Sequence, residues 1–212
     1  MKKFAAILLT FLMAVSLAAC AGDKEPAEEK TSEAEAAAEN VSEENESGEN
    51  KILVAYFSAT NTTEGVAKEI ADSLSADLYE IMPEEPYTDA DLNYNDDNSR
   101  STIEMNDPAV RPAISGSVEN MEQYNIVFIG YPIWWSEAPR IMSTFVESYD
   151  FSGKTIVPFC TSGGSGVGLS AANLEALTEG AEWLSGTRLN GGSSHEEIAD
   201  WVNGLGLDIT AE

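Results

Sequence analysis

The sequence predicts an α/β domain built on a doubly wound, five-stranded parallel sheet over residues 51–212. Three observations predict it. Apolar runs rich in β-branched and aromatic residues recur at "ILVAYF" (52–57), "IVFIGY" (126–131) and "TIVPFC" (155–160), almost without polar interruption, as strands covered on both faces require. Two weaker runs, "DLYEIM" (77–82) and "AEWLSGTRL" (181–189), extend the series. Segments with helical spacing separate the runs, and strand alternating with helix implies a parallel sheet with helices on both faces.

Two segments precede that domain. Met1 to Ala19 reads as an export signal: Lys2 and Lys3, then an apolar run from Phe4, closing on the small residues Ala18 and Ala19. The run is short for a membrane span. It ends in "LAAC" (17–20), which resembles the bacterial lipobox, so Cys20 is expected to be diacylated and to become the mature N-terminus. Residues 20–50 read as an acidic, disordered tether. From 21 to 50 they hold eleven Asp or Glu, two Lys and one larger aliphatic, Val41. So little apolar surface cannot offset ordering entropy. A coil of this length spans roughly 30 Å. The expected location is the outer face of the bacterial cell membrane, held through Cys20 alone.

Within the domain, "TEGVAKEIADSL" (63–74) places Val66, Ile70 and Leu74 on one helical face with Ala67 and Ala71 beside them. Residues 83–118 break the rhythm. They are polar, carry Arg100 and Arg111, and are too long for a simple connection, so they are either a wall of a site or a surface excursion. Thr88 and Asp91 have the spacing to start a short helix there that ends before Pro108. "PRIMSTFVESY" (139–149) repeats apolar residues at Ile141, Phe145 and Tyr149. "SAANLEALTEG" (170–180) and "SHEEIADWVNGLG" (194–206) are shorter helices, each meeting a Gly.

Seven Lys or Arg against twenty-six Asp or Glu leave residues 51–212 near −19, which argues against nucleic acid and against lying on anionic lipid. With Cys20 acylated only Cys160 remains, so no internal disulfide is available. The single His and the lack of a Cys/His cluster leave no metal motif.

Ligands of doubly wound sheets bind beyond the carboxyl ends of the strands. There the first strand meets "SATNTT" (58–63), with four hydroxyls and an Asn but no Lys or Arg. At a helix N-terminus such donors suit a phosphate monoester, and Asn61 tolerates left-handed backbone. The third strand runs into "YPIWWSEAP" (131–139), with two adjacent Trp that need a flat partner. This loop has no Gly and a Pro near each end, so left-handed backbone in it is costly. The fourth strand ends in "CTSGGSGVG" (160–168), whose glycines permit close backbone approach.

Together these loops resemble the FMN site of the flavodoxin family, in its branch with a "PIWW" second loop, over residues 51 to about 190. The resemblance implies a flavodoxin-like sheet in the order 2-1-3-4-5. It implies that Ser58, Thr60, Asn61, Thr62 and Thr63 take the FMN phosphate. Pro132, Ile133, Trp134 and Trp135, with Thr161, Ser162, Gly163, Gly164 and Ser165, would hold the isoalloxazine. Asn61 stands where the family often has Gly, and the third loop lacks the aromatic that commonly covers the flavin. The expected function is electron transfer by an exported, lipid-anchored FMN protein. Its partner is a redox protein or a small-molecule acceptor. The alternative is an FMN-dependent reductase of a small molecule such as a quinone.

Other signals fail on context. "SGKT" (152–155) precedes a strand and has Ser148 where a P-loop needs its first Gly. "GVGLSA" (166–171) lacks the acidic residue of a dinucleotide site. Ser194 and Glu197 form a capping box around His195, which reads as a surface residue, and Cys160 reads as a small apolar strand end.

Overall fold

Alternation along three central strands divides the interior into two cores. In the computed structural model, which describes residues 50–212, Leu53, Ala55 and Phe57 face one side of β1 (Ile52–Tyr56), and Ile52, Val54 and Tyr56 face the other. The expected export signal, Cys20 and tether residues 21–49 lie outside the described residues. The same period places Val127, Ile129 and Tyr131 of β5 (Ile126–Pro132) opposite Ile126 and Phe128. In β6 (Thr155–Thr161), Ile156 and Cys160 oppose Val157 and Phe159. Such burial on both faces is what the continuous apolar runs encode.

The sheet order is β2 (Asp77–Glu80), β1, β5, β6, then β7 (Glu182–Trp183), all pairs parallel, which is the expected 2-1-3-4-5 order. α1 (Thr62–Leu74) and α5 (His195–Asn203) cover one face with Val66, Ile70, Ile198 and Val202. α3 (Arg140–Glu147) and α4 (Ser170–Glu175) cover the other with Ile141, Met142, Phe145 and Leu174. Gly130 is a fit residue. A Cβ there would lie 2.1 Å from Phe159 Cζ, so the neighbouring strand's ring occupies the space a side chain would need.

Three expected boundaries need correction. The second strand ends at Glu80, and Met82–Pro83 (β3) instead pairs antiparallel with Ile114–Ser115 (β4) at the base of the long excursion. The fifth strand is split: β7 pairs with the start of β6 and β8 (Thr187–Arg188) with its end. Pro158 of β6 faces the interruption without an N–H to give, and its Cγ would be 3.2 Å from a Cβ on Gly186. Within the excursion, Thr88 and Asp91 bond each other in a single turn (Thr88 N to Asp91 Oδ2, 2.8 Å), and the helix α2 (Arg100–Asn106) starts later, capped by Ser99. It does end before Pro108, as expected.

Candidate functional site

β1 hands the chain to α1 through Ser58–Asn61, after the Phe57 N–H has donated to the Gly130 carbonyl at 2.9 Å. Asn61 has φ +61°, the left-handed backbone its side chain tolerates, and caps the helix through backbone alone. Among the described residues, the N–H groups of Ser58 through Asn61 donate to nothing. Ser58 Oγ is buried with no hydrogen-bond partner. Thr60 Oγ1 and Thr62 Oγ1 stand 3.4 Å apart on the exposed rim. Free N–H groups, an orphaned hydroxyl and a helix N-terminus converge here, an arrangement that accepts an anion without a cation. Thr63 does something else. Its buried hydroxyl meets Thr161 Oγ1 at 2.8 Å and ties this loop to the end of β6.

In the second loop, Trp134 and Glu137 exchange backbone hydrogen bonds of 2.9 Å each, so Trp135 and Ser136 form a two-residue turn. They take φ +47° and +66°. The left-handed backbone that sequence reasoning counts as costly is therefore present at two non-glycine residues, at about 1–2 kcal/mol each. The loop is not restrained from positive φ, contrary to expectation. Pro132 pairs with Thr161, and Ile133 N donates to the Thr161 carbonyl at 3.0 Å, which joins this loop to the third.

The two tryptophans part company. Trp134 packs edge-on against Phe57 (5.6 Å) and against Tyr87 of the excursion (5.3 Å). Trp135 is 42% exposed. Arg100 lies 4.1 Å over the Tyr87 ring and donates to Glu104 Oε1 (2.7 Å), while the Tyr87 hydroxyl donates to Glu104 Oε2 (2.5 Å). Burial, then the Glu104 hydrogen bond, raises the Tyr87 pKa and keeps the phenol protonated. Arg140 at the start of α3 donates to the Met105 carbonyl (2.8 Å) and to Glu137 (2.6 Å). The excursion thus forms a wall packed on the second loop. Its far side is pinned by Arg111 on Glu147, at 2.6 and 2.8 Å.

The third loop leaves β6 with Thr161 buried and Gly163, Gly164 and Ser165 exposed. Ser162 Oγ donates to the Ser165 carbonyl and accepts from Gly164 N at 3.2 Å, which turns the chain back on itself. Gly168, with φ +55°, approaches the Ser136 carbonyl of the second loop. Leu169 beside it is 72% exposed.

Sequence reasoning missed a fourth segment. β8 brings Arg188 under the third loop, its Nη1 3.4 Å from the Ser162 carbonyl. Three residues on, Gly191 lies so close to the first loop that a Cβ would stand 2.6 Å from Thr62 Cγ2. The only local signal was the "NGG" (190–192) that follows the weakest strand.

The discounted signals have structural roles. Lys154 of "SGKT" is buried and donates to the Tyr124 carbonyl at 2.7 Å. Burial pushes the Cys160 thiol up to about 11, despite the opposing charge of Arg188, so it stays protonated. The capping box of Ser194 and Glu197 is present, and exposed His195 bridges Glu69 and the Glu212 carbonyl.

The flavodoxin family model matches residues 51–205. A crystal structure described as a candidate flavoprotein from Bacteroides eggerthii is 48% identical, covering 76% of this chain and all of its own, with a TM-score of 0.72. A second, from Bacteroides uniformis, is 45% identical over 73% of this chain and 98% of its own, with a TM-score of 0.70. A flavoprotein in complex with FMN from Lactobacillus acidophilus is 20% identical over 75% of this chain and 100% of its own, a likeness of fold (TM-score 0.57). No curated protein matches the chain.

Proposed function

The chain belongs to the flavodoxin family, and from that premise we propose that it binds FMN non-covalently as an electron-transfer protein, exported and anchored at the outer face of the bacterial cell membrane through lipidated Cys20. The domain plan is that of the sequence: a signal over 1–19, a tether over 20–50 and an FMN domain of the "PIWW" branch over 51–212. The observation that carries the cofactor is the buried, partnerless Ser58 Oγ in the same loop as the undonated N–H groups of Ser58 to Asn61. A buried hydroxyl without a partner costs about 1–3 kcal/mol, and a phosphate oxygen satisfies it. The residues present therefore fit the group.

FMN, when bound, supplies the electron-transfer chemistry. The chain supplies the rest. Ser58, Thr60 and Thr62 would donate to the phosphate together with the loop N–H groups, and the left-handed Asn61 sets the turn that presents them. Thr63 and Thr161 hold the first and third loops at fixed separation. Ile133, Trp135 and the peptides of Ser162 to Ser165 would border the ring, and the packed pair of Trp134 and Tyr87 would help to exclude water. The protonated Cys160 thiol offers no nucleophile.

The reductase reading, with a flat small molecule such as a quinone as acceptor, draws support from one observation. Trp135 and Leu169 are exposed on loops that approach each other. Apolar surface left at a site edge suits a flat apolar guest as well as a protein. Oxidation of a reduced pyridine nucleotide with a quinone under steady state separates the two.

The test of the cofactor is a titration of the purified chain with FMN and with riboflavin. FMN is expected to bind at least about tenfold more tightly, since even one charge-assisted hydrogen bond to phosphate is worth about 1.5–3 kcal/mol. Equal affinity refutes the phosphate assignment. Mass spectrometry of the native protein should find diacylated Cys20 and no covalent flavin. A mature chain beginning elsewhere refutes the anchor.

A further inference from the structure

Cations are scarce in residues 51–212, and nearly all are spent on local partners. Lys51 pairs with Asp77, Lys68 with Glu64, Arg100 with Glu104, Arg111 with Glu147 and Arg140 with Glu137. Lys154 is buried on backbone carbonyls. Arg188 differs. It is exposed, and among the described residues it has no carboxylate partner, although acids outnumber bases by more than three to one. Its single hydrogen bond, long at 3.4 Å, goes to the Ser162 carbonyl of the third loop. Four of its five N–H groups stay open to a ligand.

Its backbone is fixed. Cys160 pairs with Arg188 across the sheet, and Leu189 N donates to the Cys160 carbonyl at 2.9 Å. On one side Gly186 packs under Val167 of the third loop, and on the other Gly191 touches Thr62 of the first. The segment therefore spans two of the three loops that build the site, and it carries that site's only unpaired cation among the described residues.

We propose that Arg188 tunes the cofactor site: its guanidinium balances the negative charge that the bound ring gains on two-electron reduction. This rests on the reading that the third loop holds the flavin. In the step, two electrons from an external donor and one proton from solvent enter the oxidised ring, which gains one net negative charge. No protein bond forms or breaks. A cation at the rim acts at shorter range than the scattered acids of the domain, whose effect is screened by water and salt over about 10 Å.

The test measures the affinity of the full chain for oxidised FMN and the two-electron midpoint potential of the bound form against free FMN, with dithionite as donor. Arg188→Gln should leave the oxidised affinity nearly unchanged and weaken the reduced form about tenfold, a fall of about 30 mV in midpoint. Arg188→Lys should keep most of the wild-type value, and Arg188→Glu should fall below the Gln variant. An unchanged midpoint in Arg188→Gln overturns the assignment and leaves the cofactor reading standing. Equal weakening of both forms makes Arg188 a mere support for Ser162 and overturns it as well. A wild-type chain that binds no FMN defeats the cofactor reading itself, and this proposal with it.

Discussion

Removing the Ser58 hydroxyl should move stability in opposite directions with and without FMN. Its Oγ is buried and unpartnered in the protein alone, so Ser58→Ala relieves an unmet desolvation cost of about 1–3 kcal/mol, offset in part by the small void left behind. A net gain near 1 kcal/mol raises the melting temperature of a domain this size by about 2–4 °C. With FMN present the same change removes a charge-assisted hydrogen bond worth about 1.5–3 kcal/mol, which weakens binding about tenfold to a hundredfold. At a concentration one hundred times the wild-type Kd, FMN stabilises the parent by about 2.7 kcal/mol. It stabilises the variant by only about 0.4–1.4. The assay is a pair of thermal melts, with and without FMN, repeated with riboflavin as the phosphate-free control. Two results would refute the reasoning: a Ser58→Ala chain less stable than the parent without ligand, or one that keeps the parent's full shift on adding FMN.

Gly130→Ala should cost about 1–3 kcal/mol in a denaturant melt, because the new methyl overlaps the Phe159 ring. Trp134→Ala should lower stability by about 3 kcal/mol through lost packing on Phe57 and Tyr87. Trp135→Ala, at an exposed position, should shift stability by no more than about 0.5 kcal/mol while altering the absorption spectrum of bound FMN. The Glu212 carbonyl, and after it Glu69, raises the pKa of His195 above its ordinary 6.5. Its contribution is therefore complete below pH 6.5 and is lost as pH rises through the higher folded value. Urea midpoints measured across that range should fall more in the parent than in His195→Asn.

Both cores were legible because burial on two faces leaves a local mark, continuous apolar runs such as 126–131. The sheet order came from the family resemblance, since no local pattern states which strands are neighbours. The place of the first loop between β1 and α1 was legible because an apolar run gives way there to four hydroxyls in six positions. What escaped depends on contacts between distant residues. Arg188 and Gly191 gain meaning only from Ser162 and Thr62, and β8 is two residues long, too short to show a period. Positive φ at Trp135 and Ser136 is imposed by the hydrogen bonds between Trp134 and Glu137, which override what those residues prefer alone. Thr88 and Asp91 have cap chemistry, yet they close only one turn, while Ser99 caps the helix that has buried residues to pack. The two tryptophans looked equivalent in sequence, and contacts with Phe57 and the excursion's Tyr87 distinguish them.

The excursion leaves the sheet at Met82–Pro83 and comes back at Ile114–Ser115, so its departure and return lie side by side. A segment that starts and ends at one place can detach without disturbing the strands that carry it. Closing about thirty residues over such a base costs only about 3 kcal/mol in chain entropy beyond a constant. What keeps it down is a handful of contacts: Tyr87 on Trp134, Arg140 on Met105, Arg111 on Glu147. The segment is expected to open as a unit, its amides exchanging with deuterium before those of β1, β5 and β6. Such an opening would take Tyr87 off Trp134 and let water reach a face of the second loop that the closed wall keeps covered.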